Sequence, residues 1–360
     1  MTVETESKII GCLVGGAVGD ALGAPVELST WRQIVEEVGE RGITTVRPPG
    51  HFTDDTQMSL FTCQALIRAA LELDAVGVCD PVRLLYDSYL VWLVTQGASF
   101  DEVRRAEGPL QPAGWLVHEP AMRRRNAPGT TCVGALKSGV MGTLRSPIND
   151  AKGCGGVTRA APAGLLTPGA APGTAPAEAY HLGCEVAAIT HGHPDGILPA
   201  GMLAALIHVI VAGATVPEAL ETCLGLTSPA LRRVIEHAME VGSGGPPDPE
   251  TLSLELGGGW VGEEALAIAV ACTVRAPSFE AGVLAAVNHG GDSDSTGAIG
   301  GNLLGALEGA EAIPGHFVEA IDAIDLVWRV ALDVARLVTD RPSATEFDPG
   351  FQDLFDRYVL

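Results

Sequence analysis

The chain has 360 residues, 47% apolar and 5% aromatic, and its 44 acidic residues outnumber 22 basic ones to give a net charge of −22. That length suffices for one large domain or two ordinary ones with a substantial core. The charge argues against a nucleic-acid-binding surface, and an anionic ligand would need local donors or a cation.

The first ten residues, "MTVETESKII", are acidic and polar and lack the basic start of a secretory signal. Helix-compatible periodicity then dominates, over 7–23, 54–73, 80–95, 132–143, 181–190, 196–211, 216–224, 229–241, 262–274, 278–287, 295–309 and 316–338. Alternating strand patterns are nearly absent. Loops rich in Gly and Pro separate the helices at 106–131, 144–160, 167–177 and 242–260, and none reads as an interdomain linker. The expected fold is all-α, a compact single domain over residues 1–340 followed by a C-terminal tail at 341–360.

The run Gly196 to Val216 is long enough to span a bilayer, but it contains Pro199 and His208 and is flanked by Asp195 and Glu218, so it reads as a buried core helix. The eight cysteines form no CxxC pair and lie mostly in apolar stretches, as reduced thiols of a cytoplasmic protein would.

Two helices carry glycines spaced by four: Gly11, Gly15, Gly19 and Gly23 in the first, and Gly297, Gly301 and Gly305 in the 295–309 stretch. Each costs about 0.8–1 kcal/mol relative to Ala in a helix interior. Residues four apart form one ridge, and a glycine ridge admits a second backbone at close range. These helices are therefore expected to sit at close crossings in the core.

Three acidic clusters stand at the edges of apolar helices: "GDALGAPVE" with Asp20 and Glu27, "FTDDTQ" with Thr53, Asp54, Asp55 and Thr56, and "GDSDST" with Asp292, Ser293, Asp294, Ser295 and Thr296. Capping needs one oxygen per helix, and the N-terminus of a helix favours negative charge. Here several oxygens gather in segments otherwise poor in charge. Carboxylates and hydroxyls are what hard divalent cations bind, and a cation would relieve the repulsion between Asp54 and Asp55. "DSDSTG" resembles the start of an EF-hand loop, but Leu303 stands where the bidentate Glu is required. "DSDST" also fits DxDxT of haloacid-dehalogenase-like phosphatases, though it lies too near the C-terminus for that fold.

The blocks "GCLVGGAVGDALGAPVE", "GHFTDDTQMSLFTCQAL", "KGCGGVTRAAPAGL", "THGHP", "GWVGEEALAIAV" and "HGGDSDSTGAIGGNLLGAL", in this order from Ile9 to about Leu307, resemble the ADP-ribosylglycohydrolases. The resemblance implies a compact all-α fold and a centre of two divalent cations, Mg2+ or alternatively Mn2+. It makes Thr53, Asp54 and Asp55 metal-site residues on one side and Asp292, Asp294 and Ser295 on the other. Glu27 would reach the metal site and the reacting ribose, and Glu27 and Asp55 are the expected catalytic groups. Gly153, Cys154, Gly155, Gly156 and Val157 match the loop that contacts the diphosphate and distal ribose, and His191 matches a histidine near the ligand. Ser295 stands where Thr is common, and Thr158 replaces the usual Met before Arg159.

The implied activity is hydrolysis of the C1″ glycosidic bond of an ADP-ribosylated protein or small molecule, with ADP-ribose as product. The competing readings are a non-catalytic ADP-ribose-binding module and another dinuclear-metal hydrolase such as a phosphatase. No membrane partner is expected, and nucleic acid only as a modified acceptor.

Overall fold

A computed structural model describes residues 3–103, 105, 108, 110, 114–167, 176–340, 342–344 and 348–359. The chain forms helices α1 (Val3–Gly23), α2 (Trp31–Val38), α3 (Asp54–Val76), α4 (Pro81–Thr95), α5 (Thr130–Lys137), α6 (Ala161–Leu165), α7 (Pro176–Ala188), α8 (Pro194–Val211) and α9 (Val216–Cys223). It continues with α10 (Pro229–Val241), α11 (Pro249–Leu256), α12 (Gly262–Thr273), α13 (Phe279–Val287), α14 (Ser293–Glu308), α15 (Gly315–Glu319), α16 (Ile324–Thr339) and α17 (Pro349–Tyr358). Among the described residues there is no β-strand, only two isolated bridges, so the architecture is all-α and forms a single compact domain around one core. Residues 106, 107, 109, 111–113 and 168–175 of the expected loops, and 341, 345–347 and 360 of the expected tail, lie outside the described residues.

The glycine ridges meet each other. α1 and α14 cross antiparallel, with Gly11 facing Gly305, Gly15 facing Gly301, Gly19 facing Gly297 and Gly23 facing Ser293. A Cβ placed on Gly19 would lie 1.9 Å from the Gly297 carbonyl oxygen, and one on Gly301 would lie 2.0 Å from that of Gly15. No side chain fits there, so the two backbones touch over four turns. The pairing sets the C-terminus of α1 beside the N-terminus of α14, which brings two of the three acidic clusters together.

Asp20, fully buried on α1, places the third cluster. Its carboxylate accepts the Thr53 amide at 2.9 and 3.0 Å, the Thr56 amide at 3.0 Å and the Thr56 hydroxyl at 2.5 Å. It thereby satisfies amides at the start of α3 that would otherwise be orphaned in the core. One helix thus positions both others, α14 through its glycines and α3 through Asp20.

Several boundaries differ from the periodicity. The expected helix over 132–143 runs Thr130–Lys137 and stops before Gly139, whose φ is +72°. The expected helix over 316–338 is broken into α15 and α16. The gap is tied to another segment: Gly50 donates to Ala320 and Asp322 donates to Gly50, at 2.9 and 2.8 Å. Ala323 sits at φ +62° and starts α16. α2, α6, α11 and α17 arise where no helix was expected. α17 packs on α3, with Phe351, Leu354 and Tyr358 buried, and the Tyr358 hydroxyl donates to Asp333 of α16 at 2.7 Å. α1 and α8 are long and apolar enough to cross a membrane, yet 89% and 67% of their most apolar windows are buried inside the protein, so both are core helices here.

Candidate active site

The carboxylates at the start of α3 are not its caps. Thr53 is the N-cap, and its hydroxyl accepts the Asp55 amide at 3.3 Å. This leaves Asp54 and Asp55 free for other contacts. Asp54 Oδ2 accepts the Gly129 amide, just before α5, at 3.0 Å, and the Asp54 amide donates to the Asn126 carbonyl at 3.2 Å. Asp55 Oδ1 accepts the Thr158 hydroxyl at 2.8 Å, and Asp55 Oδ2 accepts the Ser295 hydroxyl at 2.9 Å. That last bond joins α3 to α14 across the site.

At α14 the N-cap residue Asp292 makes no capping bond with its side chain. Its Oδ2 instead lies 2.8 Å from Cys154 Sγ, and Cys154 Sγ is 3.5 Å from Ser295 Oγ. Asp294 Oδ1 accepts the Ser295 amide at 3.0 Å. Glu27 follows the 3-10 turn Ala24–Val26 that ends α1, and is half-buried. One carboxylate oxygen from each of Glu27, Asp292 and Asp294 falls within 4.8 Å of the others. These three residues, far apart in sequence, form a compact set of oxygen donors.

The electrostatics are unfavourable without a counter-charge. Burial pushes the Asp54 carboxyl up to about 7, helped by Asp20 and Glu27, and Asp20 up to about 6. Burial raises Asp55 well above the usual carboxylate range, followed by repulsion from Asp54, Asp20 and Asp292. Asp294 rises strongly too, through burial and then through Asp55 and Asp292. Partial burial and then Asp292 and Asp20 raise Glu27. Among the described residues no Lys or Arg forms an ion pair with any of these carboxylates. Buried charges persist when paired or when they coordinate metals, and this all-oxygen set suits a hard divalent cation. The Cys154 thiol is held well above its usual range, first by burial and then by Asp292 and Asp55, so it stays protonated as a hydrogen-bond donor beside them.

The glycine loop forms a 3-10 turn at Cys154–Gly156 on the far side of Asp292. The Cys154 amide donates to the Trp260 carbonyl at 3.3 Å, and the Val157 amide donates to Cys154 at 2.7 Å. The Val157 side chain is fully buried, with Cγ2 against Gly262. Gly156 packs against Ala187 and Gly196. Gly153 and Gly155 are partly open and border the ring of His191, which is 1% exposed. The expected residues therefore form two adjoining groups. The acidic group comprises Glu27, Asp54, Asp55, Asp292, Asp294 and Ser295, with Thr53 as its cap. The second comprises the 153–157 turn with His191, joined to the first by Cys154.

Sequence reasoning gave no role to several residues at this site. Asp20 stood in a named cluster but reads there as one acid among many. Thr158 shows only as a substitution, and its bond to Asp55 depends on tertiary placement. Arg159 and Thr190 lie beneath the glycine turn, and the signal for them was a cation inside an apolar stretch. Asn126 and Gly129 belong to a segment without a recognisable motif.

The sequence matches the profile of the ADP-ribosylglycohydrolase family over residues 1–344. It is 26% identical over 326 residues to the ADP-ribosyl-(dinitrogen reductase) glycohydrolase of Rhodospirillum rubrum, covering 89% of this chain and 92% of that protein. It is 25% identical over 345 residues to an ADP-ribosylarginine hydrolase of Pseudomonas putida, covering 94% and 80%. A solved structure described as an ADP-ribosylglycohydrolase-related protein complex superposes with a TM-score of 0.63 at 27% identity, over 94% of this chain and all of that one. With the profile spanning nearly its whole length, the chain belongs to the ADP-ribosylglycohydrolase family.

Proposed function

We propose that this protein is a metal-dependent hydrolase that cleaves the C1″ glycosidic bond of an ADP-ribosylated acceptor and releases ADP-ribose. The observation that carries the reading is the convergence of Glu27, Asp292 and Asp294 within 4.8 Å. Family membership supports the ADP-ribosyl hydrolase chemistry, and the name of the Pseudomonas putida relative favours arginine as the first linkage to test.

Two divalent cations, magnesium or else manganese, would be held by Thr53, Asp54, Asp55, Asp292, Asp294 and Ser295, and when bound they supply Lewis-acid charge for ribose hydroxyls and water. Glycosidic cleavage develops positive charge on the sugar, which the surrounding carboxylates stabilise. Glu27, the least buried of them, is placed to hydrogen-bond the ribose or to move a proton at the scissile bond. Asp55, held from both sides by Thr158 and Ser295, has a fixed orientation for positioning the attacking water. The turn from Gly153 to Val157 would take the diphosphate and distal ribose, with His191 under it.

The acceptor we assign to the side of α5. A cavity of about 510 Å³ opens there, lined by Gln96, Glu102, Arg125, Val133 and Lys137 among others. A reducing cytoplasm is the proposed site of action, in keeping with eight free thiols.

The test is incubation with arginine- and serine-linked ADP-ribosyl peptides in magnesium, manganese or EDTA, with free ADP-ribose read by mass spectrometry. Metal-dependent release from one linkage supports the hydrolase and identifies its acceptor. Binding of ADP-ribose without release from any linkage would favour a binding module, and release of inorganic phosphate a phosphatase.

A further inference from the structure

Arg159 is fully buried and has no carboxylate partner among the described residues. It stacks on Tyr89, 4.5 Å from the ring centroid. Its Nη1 donates to Cys132 Sγ at 3.2 Å, and its Nη2 donates to the Val186 carbonyl at 3.0 Å and to Thr190 Oγ1 at 2.7 Å. A guanidinium only donates. Thr190 Oγ1 therefore accepts from Arg159 and keeps its own hydrogen to give away. His191 Nδ1 lies 2.9 Å from it, whereas the other neighbour, Cys132 Sγ, is 4.0 Å away and already accepts from Arg159. The hydroxyl is best satisfied by donating to Nδ1, and a neutral imidazole that accepts at Nδ1 carries its hydrogen on Nε2.

Nε2 has no partner among the described residues. It points at the glycine turn: a Cβ placed on Gly153 would lie 3.5 Å from Nε2, and one on Gly155 would lie 3.9 Å from Cε1. Gly153 has φ −58°, and Gly155 is not in the left-handed region either, so neither is glycine for conformational reasons. What glycine provides is open space above the ring edge. Burial and the Arg159 charge also hold the imidazole down to about 3, so it is neutral throughout the physiological range.

We infer that Arg159 and Thr190 lock His191 in the Nε2–H tautomer, making it a neutral donor that reads a hydrogen-bond-acceptor oxygen of the ligand at the Gly153–Gly155 turn. Thr190 is then a positioning residue for binding. In this tautomer His191 can serve neither as a general base nor as a metal ligand through Nε2. The choice of ligand oxygen rests on the ADP-ribose reading above, whereas the tautomer does not.

The test is long-range 1H–15N correlation on histidine-labelled protein without ligand, paired with calorimetric titration of ADP-ribose in magnesium. The wild type should show His191 with a protonated Nε2 and an unprotonated Nδ1. Thr190→Val should lose that single pattern and weaken ADP-ribose binding about three- to tenfold, the worth of one hydrogen bond. Thr190→Ser should restore both, which separates positioning from packing. A Gly153→Ala variant should weaken binding while leaving the tautomer intact. A protonated Nδ1 in the wild type would overturn the inference, as would a Thr190→Val protein that keeps both tautomer and affinity. If ADP-ribose does not bind at all, the functional reading fails, and the tautomer is still decided by the spectrum.

Discussion

Ser295 donates a 2.9 Å hydrogen bond to Asp55, linking the first turn of α14 to the first turn of α3 across 240 positions of sequence. Asp55 is not needed there for capping, because Thr53 caps α3. The bond marks where two helix starts, each carrying acids the fold alone does not require, are pressed together. Helix N-termini soften the burden of negative charge, but a gathering of this size calls for a cation as well.

The first prediction concerns stability against function. In EDTA at pH 8, Asp54→Asn should raise the stability of the folded protein by about 1–2 kcal/mol, because it removes one of several desolvated, mutually repelling charges. The same variant should lose metal-dependent release of ADP-ribose. Urea melts of both proteins in EDTA check the gain. A destabilised variant would show that the carboxylate is satisfied without metal.

A pH dependence follows with a definite sign. Asp54 rises from an ordinary value of 3.8 to about 7, and Asp20 to about 6. The folded, metal-free protein therefore binds more protons than the unfolded chain over that interval. Its stability is fully present below about pH 4 as far as these groups are concerned, and declines as pH rises toward 7. Thermal melts in EDTA at pH 5 and pH 8 should give the lower midpoint at pH 8. Added magnesium should reduce or reverse the difference, since the cation replaces the protons.

Metal should also stabilise the fold by mass action. At a free magnesium concentration about 100 times its dissociation constant, the gain is about 2.7 kcal/mol. Differential scanning calorimetry with and without magnesium measures it, and the shift should vanish in Asp292→Ala. An equal shift in that variant would place the ion elsewhere.

The crossing of α1 and α14 should not tolerate a methyl group. Gly19→Ala or Gly301→Ala drives a Cβ to about 2 Å from a facing carbonyl oxygen, and the backbones must separate. The expected loss is about 3 kcal/mol or more, at the upper end of overpacking effects. Gly134→Ala inside α5, with nothing within 4 Å, is the control and should raise stability by about 0.5–1 kcal/mol, the ordinary helix-interior gain. Chemical denaturation of the three variants decides the matter.

Much of this was legible in the residues. The four-residue glycine spacing is a packing signal that survives without coordinates, because only backbone contact explains so many interior glycines. The paired acids at two helix starts were legible for a similar reason, as they exceed what capping uses. The missed helices α11 and α17 had a signal of their own: Asp248-Pro249 and Asp348-Pro349 are start signatures, and both aspartates do cap. In 242–260 the density of Gly and Pro hid the first, and the second lies in a segment that reads as a tail. The break between α15 and α16 could not be read, because it is fixed by Gly50, some 270 residues earlier. For the same reason the contacts of Asp20, Thr158 and Thr190 needed the fold.

The most direct test of the central claim, that these carboxylates form a divalent-cation centre, is anomalous diffraction from crystals soaked in manganese. The account predicts anomalous peaks between the starts of α3 and α14, bounded by Asp54, Asp55, Glu27, Asp292 and Asp294. Manganese bound only elsewhere, or not at all, in a protein that still releases ADP-ribose would contradict it.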